Sequence, residues 1–119
     1  MEFASFVQKA LAQDGRNRFA KFDDPLPFVP EIMLPFYRQF NPENVEVEIN
    51  EAIVRLIPVA ELESVKKEYP EISDQFIFAT SNSDPIFLHE GAVYVIPHGV
   101  PHPEWEKLAD SLDDYLSGI

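Results

Sequence analysis

Three histidines, His89, His98 and His102, fall within the stretch HEGAVYVIPHGVPH (89 to 102), with Asp84, Glu90 and Glu104 close by in sequence. Imidazole and carboxylate are the ligands of zinc sites and the acid–base partners of hydrolases. Two histidines four apart chelate a metal when a helix brings both to one face, but Gly99 and Pro101 lie between His98 and His102, and Pro103 follows. The organising helix is therefore missing. A hairpin remains, in which His89 at the end of one strand and His98 just past the next come within reach, with Asp84 as an oxygen ligand. Ser81 or Ser83 with a histidine base and Asp84 would be the nucleophilic alternative. No G-x-S-x-G elbow is present, and SNSD has the composition of a turn. A working general acid needs an apolar pocket to raise its pKa, and four unclustered glycines build no phosphate loop. The segment reads as structural or solvated rather than catalytic.

The elements that must position these residues follow from periodicity. Phe3, Phe6, Val7, Ala10 and Leu11 recur at helical spacing before Gly15, which predicts an amphipathic helix over 2 to 13. FDDPLPFVPEIMLP carries four prolines and reads as an extended connector, too apolar to be a free linker. Pro35 suits the first turn of a short helix, PFYRQFN, that presents Phe36, Tyr37 and Phe40 inward.

In NVEVEIN the apolar Val45, Val47 and Ile49 alternate with Glu46 and Glu48, the period of a strand with one wet face, and AIVRLI pairs with it after Asn50-Glu51. PVAELESVKKEYP predicts a helix of about three turns between Pro58 and Pro70. QFIFATS, IFLH and AVYVIP are three further strands, joined by NSDP and by Glu90-Gly91. PEWEKLADSLDDYLSGI places Trp105, Leu108, Ala109, Leu112 and Leu116 on one stripe, which predicts a last helix beginning at Pro103 and ending at Gly118. The expected architecture is α+β: an antiparallel sheet of about five strands with helices at the N-terminus, in the middle and at the C-terminus.

A chain of 119 residues has the size of one domain, 1 to 119. No apolar run approaches a membrane span, there is no cysteine for a disulfide or thiolate site, and no basic start marks a signal peptide, so a cytoplasmic location is expected. The formal charge is −12 and its excess is confined to one part. Residues 1 to 40 hold five acids and five bases, whereas residues 41 to 119 hold sixteen acids against Arg55, Lys66, Lys67 and Lys107. Such a field repels nucleic acid and anionic membrane and steers a basic protein inward. It also serves solubility.

LPFYRQFN (34 to 41), VRLIPVAELESVKKEYP (54 to 70), ATSNSDPIFL (79 to 88), GAVYVI (91 to 96) and LADSLDDYL (108 to 116) together resemble the SUKH superfamily, in order along the chain. Leu34-Pro35, Asp84, Val93-Tyr94 and the final Ala109-x-Ser111-Leu112-x-x-Tyr115-Leu116 carry the similarity, with Leu112 where the family usually has phenylalanine. The resemblance implies an α+β fold and a non-catalytic role without cofactor: an immunity protein that binds and blocks a toxin domain, often a nuclease. A regulatory or scaffold domain with another protein partner is the second reading, and a small metal-dependent hydrolase using His89, His98 and His102 the third.

For a basic partner the candidate contacts are Glu46, Glu48, Asp84, Glu104, Asp110, Asp113 and Asp114. The last two are expected near a helix C-terminus, where negative charge is locally unfavourable.

Overall fold

The computed structural model describes residues 2–101 and 103–119. Its elements are α1 (Ala4–Gln13), β1 (Arg18–Ala20), α2 (Leu34–Phe40), β2 (Asn41–Asn44), β3 (Glu46–Ile49), β4 (Ala52–Leu56), α3 (Val59–Glu68), β5 (Phe76–Ser81), β6 (Asp84–His89), β7 (Ala92–Val95), β8 (Glu106–Ala109) and α4 (Leu112–Leu116). The class is α+β. Six antiparallel strands form one sheet in chain order, β3-β4-β5-β6-β7-β8, and β1 and β2 pair separately.

Chain order in the sheet follows from turn chemistry. Three of its connections are two-residue turns in which both residues have positive φ: Asn50 and Glu51 (49° and 70°), Asn82 and Ser83 (51° and 68°), and Glu90 and Gly91 (50° and 82°). Two left-handed residues in succession match the right-handed twist of the flanking strands. Asparagine and glycine adopt that backbone at little cost; Glu51, Ser83 and Glu90 adopt it with a Cβ in place. The alternation in β3 buries Val47 and Ile49 and exposes Glu46 and Glu48. Pro85 to Leu88 in β6 are buried without interruption, so that strand is covered on both faces.

Aromatic side chains tie the helices together. Phe36 of α2 meets Phe3, Phe6 and Phe19 with ring centroids 5.1, 6.5 and 6.4 Å away, and its neighbour Tyr37, fully buried, packs on Phe76 of β5. Phe3, Phe6, Val7 and Ala10 of the first apolar stripe are buried, while Leu11 is exposed. The outer margin of β3 is closed by side chains. Asn17, the one buried polar residue of the core among the described residues, donates through Nδ2 to the Ala10 and Glu46 carbonyls at 2.8 and 3.1 Å and accepts the Glu46 amide at 3.0 Å. Gln13 does the same for Glu48, donating to its carbonyl at 3.0 Å and accepting its amide at 2.7 Å. Two carboxamides thus occupy the positions of a neighbouring strand's peptide groups.

Two expectations are corrected. The sheet holds six strands rather than about five, the sixth being β8, and a separate β1–β2 pair is added, whose strands are short, include Pro42 and show no alternating pattern. The single helix from Pro103 does not form. Glu106–Ala109 pairs with β7, and helix begins only at Leu112, where Ser111 Oγ accepts the Asp114 amide at 3.0 Å as N-cap. Pairing satisfies a row of β7 backbone groups, which outweighs the helical preference of Glu, Lys, Leu and Ala. Leu112, Tyr115 and Leu116 enter the core, and Leu108 and Ala109 pack against it from the strand. Trp105 leaves the stripe altogether.

Candidate functional site

The histidines do different work at opposite ends of β6. His89, its last residue, has Nδ1 2.9 Å from Gln75 Oε1 and lies edge-on to Trp105, with ring centroids 5.0 Å apart. At the other end, Asp84 Oδ1 accepts from both the backbone amide and the ring Nδ1 of His98, at 2.9 and 2.6 Å. Five residue steps of strand carry Asp84 to His89, about 17 Å at the usual rise. His98 is therefore latched to the start of the strand and His89 is packed at its end. His102 lies outside the described residues. Among the described residues no three histidines or carboxylates converge to hold a metal. Asp84 orients an imidazole as in a nucleophilic triad, but Ser81 Oγ donates to the Ile53 carbonyl at 2.8 Å, and its hydroxyl is directed there.

The candidate acids are distributed over several elements. Glu46 and Glu48 stand exposed on β3, beside Asp14, whose carboxyl is held at about 2 by hydrogen bonds from the side chain and amide of Arg16. Glu104 and Asp110 flank β8 at the opposite edge of the sheet, and Asp110 holds the Lys107 ammonium at 2.9 Å. That ion pair raises the pKa of Lys107 and neutralises the one cation on the strand. Asp113 and Asp114 are in the first turn of α4, not near its C-terminus. The shorter helix puts them at the positive end of the backbone dipole, where carboxylates are favoured. Their position thus carries no local cost that a binding role would have to explain.

Two features emerge that the apolar stripe concealed. Trp105 stands on the sheet surface, 40% exposed, with its ring 4.9, 5.0 and 5.6 Å from those of Phe87, His89 and Tyr94. Glu90 lies beside it, with Oε2 3.9 Å from His89 Nε2, Lys107 is the cross-strand partner of Tyr94, and Glu104 and Glu106, the chain neighbours of Trp105, are exposed. A partly exposed tryptophan supported from beneath and rimmed by charge is the composition of an interface anchor. The second feature is a cleft of about 260 Å³ between the β3–β4 turn, the β5–β6 turn and α4, with Val54, Ile86, Val95, Leu108 and Tyr115 as apolar lining and Asn50, Asn82 and Asp84 as polar lining. Only Asp84 among these was predicted. The cleft includes Leu108 because Glu106–Ala109 pairs with β7 as β8, and no local pattern announces that strand.

No helix among the described residues is long and apolar enough to cross a membrane. Comparison with protein-family models, with curated proteins and with solved structures finds no match to this chain.

Proposed function

We propose that this chain is a non-catalytic protein-binding module of SUKH type, acting in the cytoplasm as an immunity protein that neutralises a basic, nuclease-type toxin domain. The observation that carries the reading is Trp105, exposed on a supporting layer of Phe87, His89 and Tyr94, with Glu90 beside His89, on a chain whose acidic excess lies in residues 41 to 119. An anchoring aromatic sets affinity, and the surrounding field accelerates encounter with a basic surface. A nuclease must attract phosphate and is therefore basic around its active site, so an acidic module mimics the polyanion it competes with. The α+β class is the one that the family resemblance implies.

The scaffold reading shares the same surface and differs in the partner. Co-expression with the product of the adjacent gene, followed by pull-down and a toxicity-rescue assay, separates the two. Immunity predicts a stable complex and survival of the host. A toxin encoded next door that neither binds nor is neutralised would leave the scaffold as the better account.

A further inference from the structure

We propose that the cleft beside Asp84 receives the side chain of an arginine presented by the basic partner, with its stem on the apolar lining and its guanidinium on the Asp84 carboxylate. The inference rests on the partner reading above and names where the partner's charge is taken up.

Three observations converge on it. The first is the state of Asp84. Both bonds from His98 end on Oδ1, and among the described residues Oδ2 has no hydrogen-bond partner. His98 orients the carboxylate by donating to Oδ1 through both its backbone amide and Nδ1–H, which leaves Oδ2 for a second donor. The side chain is 32% exposed, so the free oxygen is partly shielded from water while still reachable. A charge-assisted bond is stronger in that setting than on an open surface.

The second is the lining. Val54, Ile86, Val95, Leu108 and Tyr115 leave about 260 Å³ unfilled. At roughly 30 Å³ per water, that is room for about eight or nine small groups, enough for an arginine side chain. Among the described residues no lysine or arginine lines the cleft. Apolar walls favour guanidinium over ammonium, because the planar ion is less strongly hydrated and its methylene stem gains by burial.

The third is the rim. Asn50 and Asn82 each occupy the first position of a left-handed turn, which accounts for asparagine in the sequence but not for both carboxamides bordering one cleft. Among the described residues neither side chain is hydrogen-bonded. Their carbonyl oxygens are acceptors for the guanidinium N–H groups that Oδ2 leaves unpaired.

The test is an NMR titration of the isotope-labelled full chain with N-acetyl-arginine methylamide, its uncharged citrulline counterpart and the lysine counterpart. The expected result is saturable shifts centred on Asn82, Asp84, Val95 and Leu108, with citrulline binding about tenfold or more weakly. Asp84→Asn should abolish saturation. His98→Ala, which removes the ring bond and keeps the carboxylate, should retain it and so separate lost charge from lost structure. Equal binding of citrulline, shifts located elsewhere, or tighter binding of the lysine analogue would overturn the assignment. Saturable, Asp84-dependent binding without a complex with the adjacent gene product would refute the immunity reading and leave the cleft standing. A complex whose affinity changes less than about twofold in Asp84→Asn would refute the cleft and leave the immunity reading.

Discussion

Gly118 and Asn50 interlock at the end of the chain. The Gly118 carbonyl accepts the Asn50 amide at 3.1 Å, and the Asn50 carboxamide fills the space where a Cβ at 118 would stand. The contact fixes the C-terminal segment against the β3–β4 turn. Gly118→Ala should therefore push aside the end of the exposed Asn50 side chain, which can rotate away, at a cost below about 1 kcal/mol. Asn50→Gly in the same chain should restore most of the loss, because glycine vacates the space and accepts the positive φ of Asn50. Denaturant unfolding of the single and double variants decides; additive losses would show that the two residues are not in contact.

Asn17→Ala removes three hydrogen bonds from a buried site and leaves the Glu46 peptide group unpaired. A loss of about 2–3 kcal/mol is expected. The variant should also associate at high protein concentration, since the outer margin of β3 becomes available to another strand. Light scattering at rising concentration checks this, and a strictly monomeric variant would show that the carboxamide is not what keeps strands apart.

Leu112 and Trp105 belong to one apolar stripe in the sequence and to different environments in the fold. Leu112, with no exposed surface, should cost about 2–5 kcal/mol on replacement by alanine. Trp105→Ala should cost less stability and more partner affinity. Thermal unfolding and binding measured on both variants separate the roles, and a Trp105→Ala chain that binds normally would remove the anchor from the account.

Alkali should unfold the protein through two buried phenols. Burial raises the Tyr115 hydroxyl to about 12 and pushes Tyr37 up further, against an ordinary value of 10.0. Each group keeps its proton in the folded chain after the unfolded chain has lost it. Their contribution is complete below about pH 10 and is lost as pH rises toward and through the folded values. Phenolate absorbance should rise together with loss of near-ultraviolet circular dichroism in Tyr37- and Tyr115-containing protein. Ionisation of all four tyrosines with the fold intact would contradict the burial.

If the acidic field steers the partner, the association rate should fall steeply between about 50 and 500 mM salt while dissociation changes less. Stopped-flow mixing with the purified partner measures both. A salt-independent association rate would assign the net charge to solubility.

Legibility in the sequence tracked how local the cause of each element was. β3 and β4 were readable because Val47 and Ile49 alternate with Glu46 and Glu48 beside a turn pair, and α2 because Pro35 can start a helix. β8 was not, since Glu106 to Ala109 prefer helix and become strand only because β7 has backbone groups to satisfy. That one misreading carried others with it: Trp105 was placed in the core stripe, and Asp113 and Asp114 were assigned to the wrong end of α4. Asp84 was singled out from its turn and from the resemblance, while the cleft beside it depends on residues from distant strands.

The two carboxamides on β3 also bear on how the sheet is made during synthesis. They join positions 29 and 35 residues apart, and all their partners have been translated once β3 has emerged, before α3 and β5 exist. At about 5–20 residues per second, that leaves seconds in which α1 and Asn17 can settle against the new strand. Each later hairpin closes through a two-residue turn or adds to the strand just laid down, so growth is vectorial, away from a margin already closed and toward β8. A nascent chain stalled at any point after β4 would then expose a single growing edge instead of two.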